Sequence, residues 1–331
     1  MAEATLTGSV QAGTNQTTYV KAGAASVTSL TLEDSNGNTV FNIGDTEDLG
    51  GGLMFKGNIA VETGLFSTTV AQGNGVNETY ASLTGGFGGI KAGSLQTPQF
   101  LAIAAGDAGG GLLISNLVYT NNTHQGGTIG SNVLLQTKSF QYTAPTFVEG
   151  LSLKYQTGLG AQTDNTSNAN HYAADYKTGA FAAGFAYSTY AQTASTTDSA
   201  NTYYATYDMG VAKLQALWGS AQTSGAATVN STSFGFQVPM GAATFMYNHS
   251  ASDGRVYNAV VTTGTASIAA SAVSAIEQAG DFIGVSYALS KRTTAYAAYY
   301  RETGNDSTGF VNGLATNSNW STARFIVIHN F

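Results

Sequence analysis

Along most of the chain, apolar side chains alternate with small or polar ones at a period of two, in segments of about ten residues, and that repeat admits strands and excludes helices. In Leu53 to Glu62 the positions Leu53, Phe55, Ile59 and Val61 are apolar, while Met54, Lys56, Asn58 and Glu62 make the other face mostly polar. Phe181, Ala183, Phe185 and Tyr187 alternate in the same way with Ala182, Gly184, Ala186 and Ser188. Leu151-Leu153-Tyr155, Phe234-Phe236-Val238 and Ile283-Val285-Tyr287-Leu289 repeat the pattern. Turns punctuate it at Gly50 to Gly52, Gly85 to Gly89, Glu149-Gly150, Thr178-Gly179, Met209-Gly210 and Met240-Gly241. Between these tight turns lie longer Ser, Thr, Asn and Gly segments, such as Gln162 to Ala169, Gln192 to Ala200, Ser252 to Glu277 and Glu302 to Ser318. Short turns at one end and long loops at the other are the rhythm of hairpins in a transmembrane barrel.

A soluble β-sandwich alternates too, so the inventory has to decide. Only 9% of the 331 residues are charged, against about 25% in an ordinary globular domain. A sandwich of this size would need charge on its outer face to stay in solution, whereas a closed barrel in lipid pairs every backbone group, turns an apolar band outward and keeps a polar lumen. The expected fold is therefore all-β, one transmembrane antiparallel β-barrel domain over residues 1–331, with about sixteen strands by segment count. No run of about 18 apolar residues exists to make a spanning helix. The chain has no cysteine, hence no disulfide framework or thiolate metal site, and its net charge of −7 with 12 scattered Lys and Arg argues against nucleic acid. Its start, Met1-Ala2-Glu3-Ala4, has no basic region and apolar core; a mature exported chain with an added initiator Met1 is expected.

Several motifs resemble the general porins of β-proteobacteria, the trimeric Gram-negative porin family. Gly44-Asp45-Thr46-Glu47-Asp48-Leu49-Gly50-Gly51-Gly52-Leu53 is similar to that family's signature turn. Gly85 to Gly93 with Thr97-Pro98 resembles the hairpin entering the constriction loop, and Ser139 to Phe147 the strand leaving it. Leu289-Ser290-Lys291-Arg292-Thr293 resembles the last periplasmic turn, and the chain ends at Phe331 as such barrels do. The resemblance implies sixteen strands, a homotrimer in outer-membrane lipid, a long third loop (about 96–136) folded inward, and passive diffusion of ions and small hydrophilic solutes. Where the family often has lumen arginines this chain has Asn77 and Ser94, so strong anion selectivity is not implied.

Selectivity in such a pore rests on rings of charge and on the constriction. Alternation, together with the roughly 2–4 kcal/mol penalty for a basic side chain facing lipid at the midplane, predicts Lys56, Lys91, Lys154, Lys213, Arg301 and Arg324 in the lumen. Glu62 and Asp107 are the acidic candidates. The competing reading makes the long basic side chains mere solvation of rims and turns. In the 96–136 segment, Leu101, Ile103, Leu112, Leu113 and Ile114 are candidates to pin the loop to the inner wall. Gly106-Asp107-Ala108-Gly109-Gly110-Gly111 lacks the Lys-Ser/Thr that a phosphate-binding loop needs. His124, His171, His249 and His329 fall in no metal-ligand spacing, and no nucleophile motif is present. No cofactor, metal or catalytic residue is therefore expected. A substrate-specific porin, a barrel enzyme and an adhesin remain the alternatives. At the C-terminus alternation turns Phe325, Val327, His329 and Phe331 outward, which leaves Ile326 and Ile328 on the lumen face against the rule.

Overall fold

The computed structural model describes residues 4–20, 26–33, 39–63, 65, 70–72, 77–109, 135–159, 169–191, 197–222, 228–253, 255–258, 271–274, 278–304 and 319–331. The strands in chain order are β1 (Thr5–Val20), β2 (Val27–Glu33), β3 (Thr39–Gly50), β4 (Leu53–Thr63), β5 (Val70–Gln72), β6 (Thr79–Gly85) and β7 (Gly88–Gln96). A helix, α1 (Pro98–Gly106), follows, and then β8 (Leu135–Thr143), β9 (Leu151–Gly158), β10 (Ala169–Thr178), β11 (Phe181–Ala191), β12 (Thr197–Asp208) and β13 (Lys213–Gln222). The remainder is β14 (Thr228–Met240), β15 (Ala243–Ser252), β16 (Arg255–Asn258), β17 (Ser271–Ser274), β18 (Gln278–Ala288), β19 (Thr293–Gly304) and β20 (Asn319–Asn330).

Every pairing is antiparallel, and the first strand closes on the last, with Ser9 opposite Asn330 and Val20 opposite Asn319. The wall is a closed sixteen-stranded barrel, so no sheet edge is left unpaired in lipid. β2 and β5 are short pieces beside β1 and β4, and β16 and β17 form a separate hairpin. The tight turns fall where the glycines predict them. Asp48 and Asp208 each accept the amide of the glycine two residues on, Gly50 and Gly210, at 2.8 Å. Both glycines have φ near +80°, a left-handed conformation that side chains with a Cβ resist.

Register carries the alternation around the wall. The pairs His171–Ser188, Ala186–Thr202 and Thr206–Gln215 stand on one face, and Tyr172–Tyr187, Phe185–Tyr203 and Tyr203–Trp218 on the other. The second face holds exposed large apolar residues, among them Ile59, Phe234 and Tyr203. Its aromatics form a chain of contacts, with ring centroids 4.6 Å apart for Phe185–Tyr203 and 5.3 Å for Tyr203–Trp218. An aqueous surface does not carry such a band; the outside of a barrel in lipid does. α1 packs against β10 to β13 on the first face, which is the inner one.

Ile326 and Ile328 do face inward, and both are buried. Gly13, opposite Ile326, makes room for it, since a Cβ there would lie 2.9 Å from Ile326 Cγ1. Nearby on the inner wall, Met246, Phe282 and Tyr300 form an apolar cluster. The inner face thus carries an apolar patch in this sector.

Candidate functional site

The chain turns into the barrel directly after β7. Thr97 caps α1 by accepting the Phe100 amide at 3.1 Å, and Pro98 opens the helix where a missing N–H costs nothing. Phe100, Ala102 and Ile103 are buried against the wall, while Leu101 is 37% exposed on the other side of the helix. Ile103 meets the expectation for a pinning residue, and Phe100 replaces Leu101. Leu112, Leu113 and Ile114 lie outside the described residues.

Apolar contact is only part of the attachment. Gln99 donates to Thr202 Oγ1 and accepts from Ser188 Oγ at 3.3 Å. Ser188 meets His171 Nδ1 at 2.7 Å, and His171 Nε2 meets Gln136 Oε1 at 2.9 Å. Farther along, Gln215 Nε2 donates to the carbonyls of Ala105 (3.1 Å) and Asp107 (2.9 Å), and Gln237 Nε2 to that of Ala108 (2.7 Å). The Gln215 amide satisfies carbonyls that the end of a helix leaves without an intrahelical partner. Side chains from β11, β12, β13 and β14 therefore hold one stretch of loop along a strip of inner wall, with His171 of β10 bracing Ser188 from behind, and a buried polar group that loses its partner there is expensive. Gly106 fits because a Cβ would come within 2.9 Å of Leu217.

Of the sequence-predicted site residues, Lys56, Glu62, Lys91, Lys154, Lys213 and Arg324 lie on the inner face by register. They do not form one ring. Lys91 is ion-paired with Glu78 and lies 3.9 Å above the Tyr80 ring; the other Glu78 oxygen accepts the Gln96 amide at 2.9 Å. Lys154 meets Asp175 Oδ2 at 3.3 Å, and Asp175 Oδ1 accepts the Tyr204 hydroxyl at 2.9 Å. Lys56 is exposed within the barrel, and Lys213 stands half-buried near the tight-turn end. Glu62 is buried, its Oε1 accepting the Asn77 amide at 3.2 Å and the Asn77 side chain at 2.8 Å. Arg324 is buried as well.

Two placements differ from expectation. Asp107 is fully buried, with Oδ1 accepting the Gly109 amide at 3.1 Å, so it shapes the loop and does not meet lumen water. Arg301 is on the outer face, opposite Asp281. There Asp281 Oδ1 accepts from Tyr247 at 2.7 Å and sits 2.9 Å from His249 Nδ1. This polar group lies one outward position beyond Tyr247 and Tyr299, toward the loop end, and charge near the interface costs only about 0–1 kcal/mol.

Sequence reasoning did not single out Glu78, Asp175, Lys177 or Tyr204. For Asp175, Lys177 and Tyr204 the signal was parity within β10 and β12, which pairing with Phe181–Ala191 carries onto the inner face; Glu78 precedes β6 and had no such pairing.

The Gram-negative porin family model matches residues 1–307. The anion-selective porin from Comamonas acidovorans shares 18% identity with this chain, covers 100% of both chains and superposes with a TM-score of 0.75. OmpT of Vibrio cholerae in its trimer form shares 10% identity, with 100% of this chain and 99% of that one covered and a TM-score of 0.65. Salmonella typhi OmpF, in complex with daunomycin, shares 13% identity over 99% and 97% of the chains, with a TM-score of 0.64. No curated protein sequence matches the chain. The fold is that of these solved structures, and with the family model matching nearly its whole length the chain belongs to the Gram-negative porin family.

Proposed function

We propose that solutes cross this outer-membrane diffusion channel through the gap that α1 leaves inside the barrel, with Lys56, Lys91, Lys154 and Lys213 tuning a weak selectivity among ions and small hydrophilic molecules. The supporting observation is the way α1 is held: β11, β12 and β13 supply side chains that bond to it along one inner wall, and β14 holds Ala108 just past its end. A barrel of this strand number is otherwise a wide aqueous channel. Selectivity is weak because Lys91 and Lys154 each carry a carboxylate partner, Glu78 and Asp175, which cancels much of their field at a distance. The protein works as a homotrimer in outer-membrane lipid and performs no chemistry on its solutes.

Purified protein in a planar bilayer should give discrete conductance steps that scale with salt and a small reversal potential in a salt gradient. Absence of steps from folded protein would overturn the reading. A substrate-specific porin is the second reading, because two inner-wall stations pair a tyrosine with an ion pair, Tyr80 with Lys91–Glu78 and Tyr204 with Asp175–Lys154. Flux of one solute class that saturates, against linear flux of others of equal size, would favour it.

A further inference from the structure

Between the end of α1 and the inner wall lies a cavity of about 530 Å³ that opens at the tight-turn end of the barrel. Its lining includes Ala105 of α1 and the inner-face residues Lys177, Ala182, Tyr204, Asp208 and Lys213. The tight turns of such barrels face the periplasm, which places the cavity on the periplasmic side of the constriction.

Charge in this cavity is distributed unlike charge at the Lys91 and Lys154 stations. Lys91 and Lys154 have carboxylate partners, whereas among the described residues neither Lys177 nor Lys213 has a carboxylate within ion-pair distance. Of the carboxylates nearby only Asp175 is paired with a cation; Asp208, opposite Lys213 in register, keeps its charge. Asp175 is held by Lys154 and by the Tyr204 hydroxyl, and Asp208 accepts the Gly210 amide at the turn. At the end of α1 the carbonyls of Ala105 and Asp107 receive the Gln215 amide. Two ammonium groups against one exposed carboxylate leave the site net positive. They rise from β10 and β13, three strand spacings apart, roughly 14 Å along the wall. A compact anion with its first waters fits between them, and the low-dielectric walls of a cleft strengthen its attraction.

We propose that this cavity is a subsite for small doubly charged oxyanions, held between Lys177 and Lys213 beneath the constriction helix. The inference rests on the channel reading, since a bound anion in this position narrows the conducting path at its periplasmic end. Occupancy therefore reduces the current of other ions and saturates, unlike simple screening.

The test is a titration of inorganic phosphate at neutral pH and constant potassium chloride against the full-length protein in a planar bilayer. Wild type should show a partial, saturable fall in current. Lys177→Gln with Lys213→Gln should need at least about tenfold more phosphate for half-block, the loss of one charge-assisted contact. Arg301→Gln, which removes a cation from the outer face of the wall, should leave the half-block concentration within about twofold, below the energy of one such contact. The single variants Lys177→Gln and Lys213→Gln provide the same comparison should the double variant not fold. A wild-type current that falls without saturating, an unchanged titration in the lysine variants, or an equal shift in Arg301→Gln would overturn the subsite. A folded protein with no conductance would instead overturn the channel reading.

Discussion

Lys56 and Arg301 carry the same charge, and the two-residue repeat places one inside the barrel and the other outside. The difference is measurable. Lys56→Glu with Lys154→Glu should move the reversal potential in a salt gradient toward cations, since both side chains stand on the inner face and the second change also leaves Asp175 without its cation. Lys56→Glu alone should account for most of the shift, because Lys154 is already half cancelled. Arg301→Glu should leave the reversal potential unchanged, for its charge lies on the outer face with the wall between it and the pore. A shift from Arg301→Glu as large as that from Lys56→Glu would contradict the register. Parity placed six of the eight candidate residues on the inner face. Arg301 was not so placed, because the rule that charge avoids lipid weakens toward the interface, where Tyr247, His249 and Asp281 already make the outer face polar. Asp107 was not, because alternation says nothing about a residue in a loop.

Helix α1 was hidden in a sequence otherwise read by its strands, although Thr97-Pro98 before Phe100-Leu101-Ala102-Ile103 is an N-cap followed by a first-turn proline and helix-compatible residues. The strand-to-loop transition was legible; the glutamines that hold the helix were not. Gln215 and Gln237 look like ordinary lumen polarity until the loop is laid against them, and Gln99 gives no sign of its partners on the wall. Their removal gives an element-scale prediction. Gln99→Ala deletes both contacts of a fully buried side chain and should weaken the docking of α1 by roughly 1–3 kcal/mol, the penalty for stranding a buried polar partner. The expected readout is increased open-channel noise with unchanged β content by circular dichroism. Quiet, wild-type conductance from Gln99→Ala would mean that the apolar contacts of Phe100 and Ile103 suffice.

At the scale of the molecule, barrel closure and loop insertion are separable, because the backbone ladder runs from β1 round to β20 while α1 touches the wall mainly through side chains. The strand number, the outer band and the turn positions were readable because period two is a property of every strand. The course of the third loop was not, since no period governs it. The assembled protein should run as a trimer that resists mild detergent and dissociates on heating, and a monomer by light scattering would remove that claim. Shortening the loop between Leu101 and Ser131 to a few residues should raise single-channel conductance while the barrel still folds. Neighbouring hairpins close with far fewer residues, so the insertion has no part in completing the sheet. Its described portion lies inside the barrel, where Phe100, Ile103 and Gln99 cover inner-wall residues such as Ser188, Thr202 and Leu217. Those side chains face water when the loop is gone, and the small and polar ones, Ser188 and Thr202, tolerate it. The wider lumen then carries more current at the same salt. A shortened protein that keeps its β content and conducts like the original would show that the narrowest section of the pore is set elsewhere.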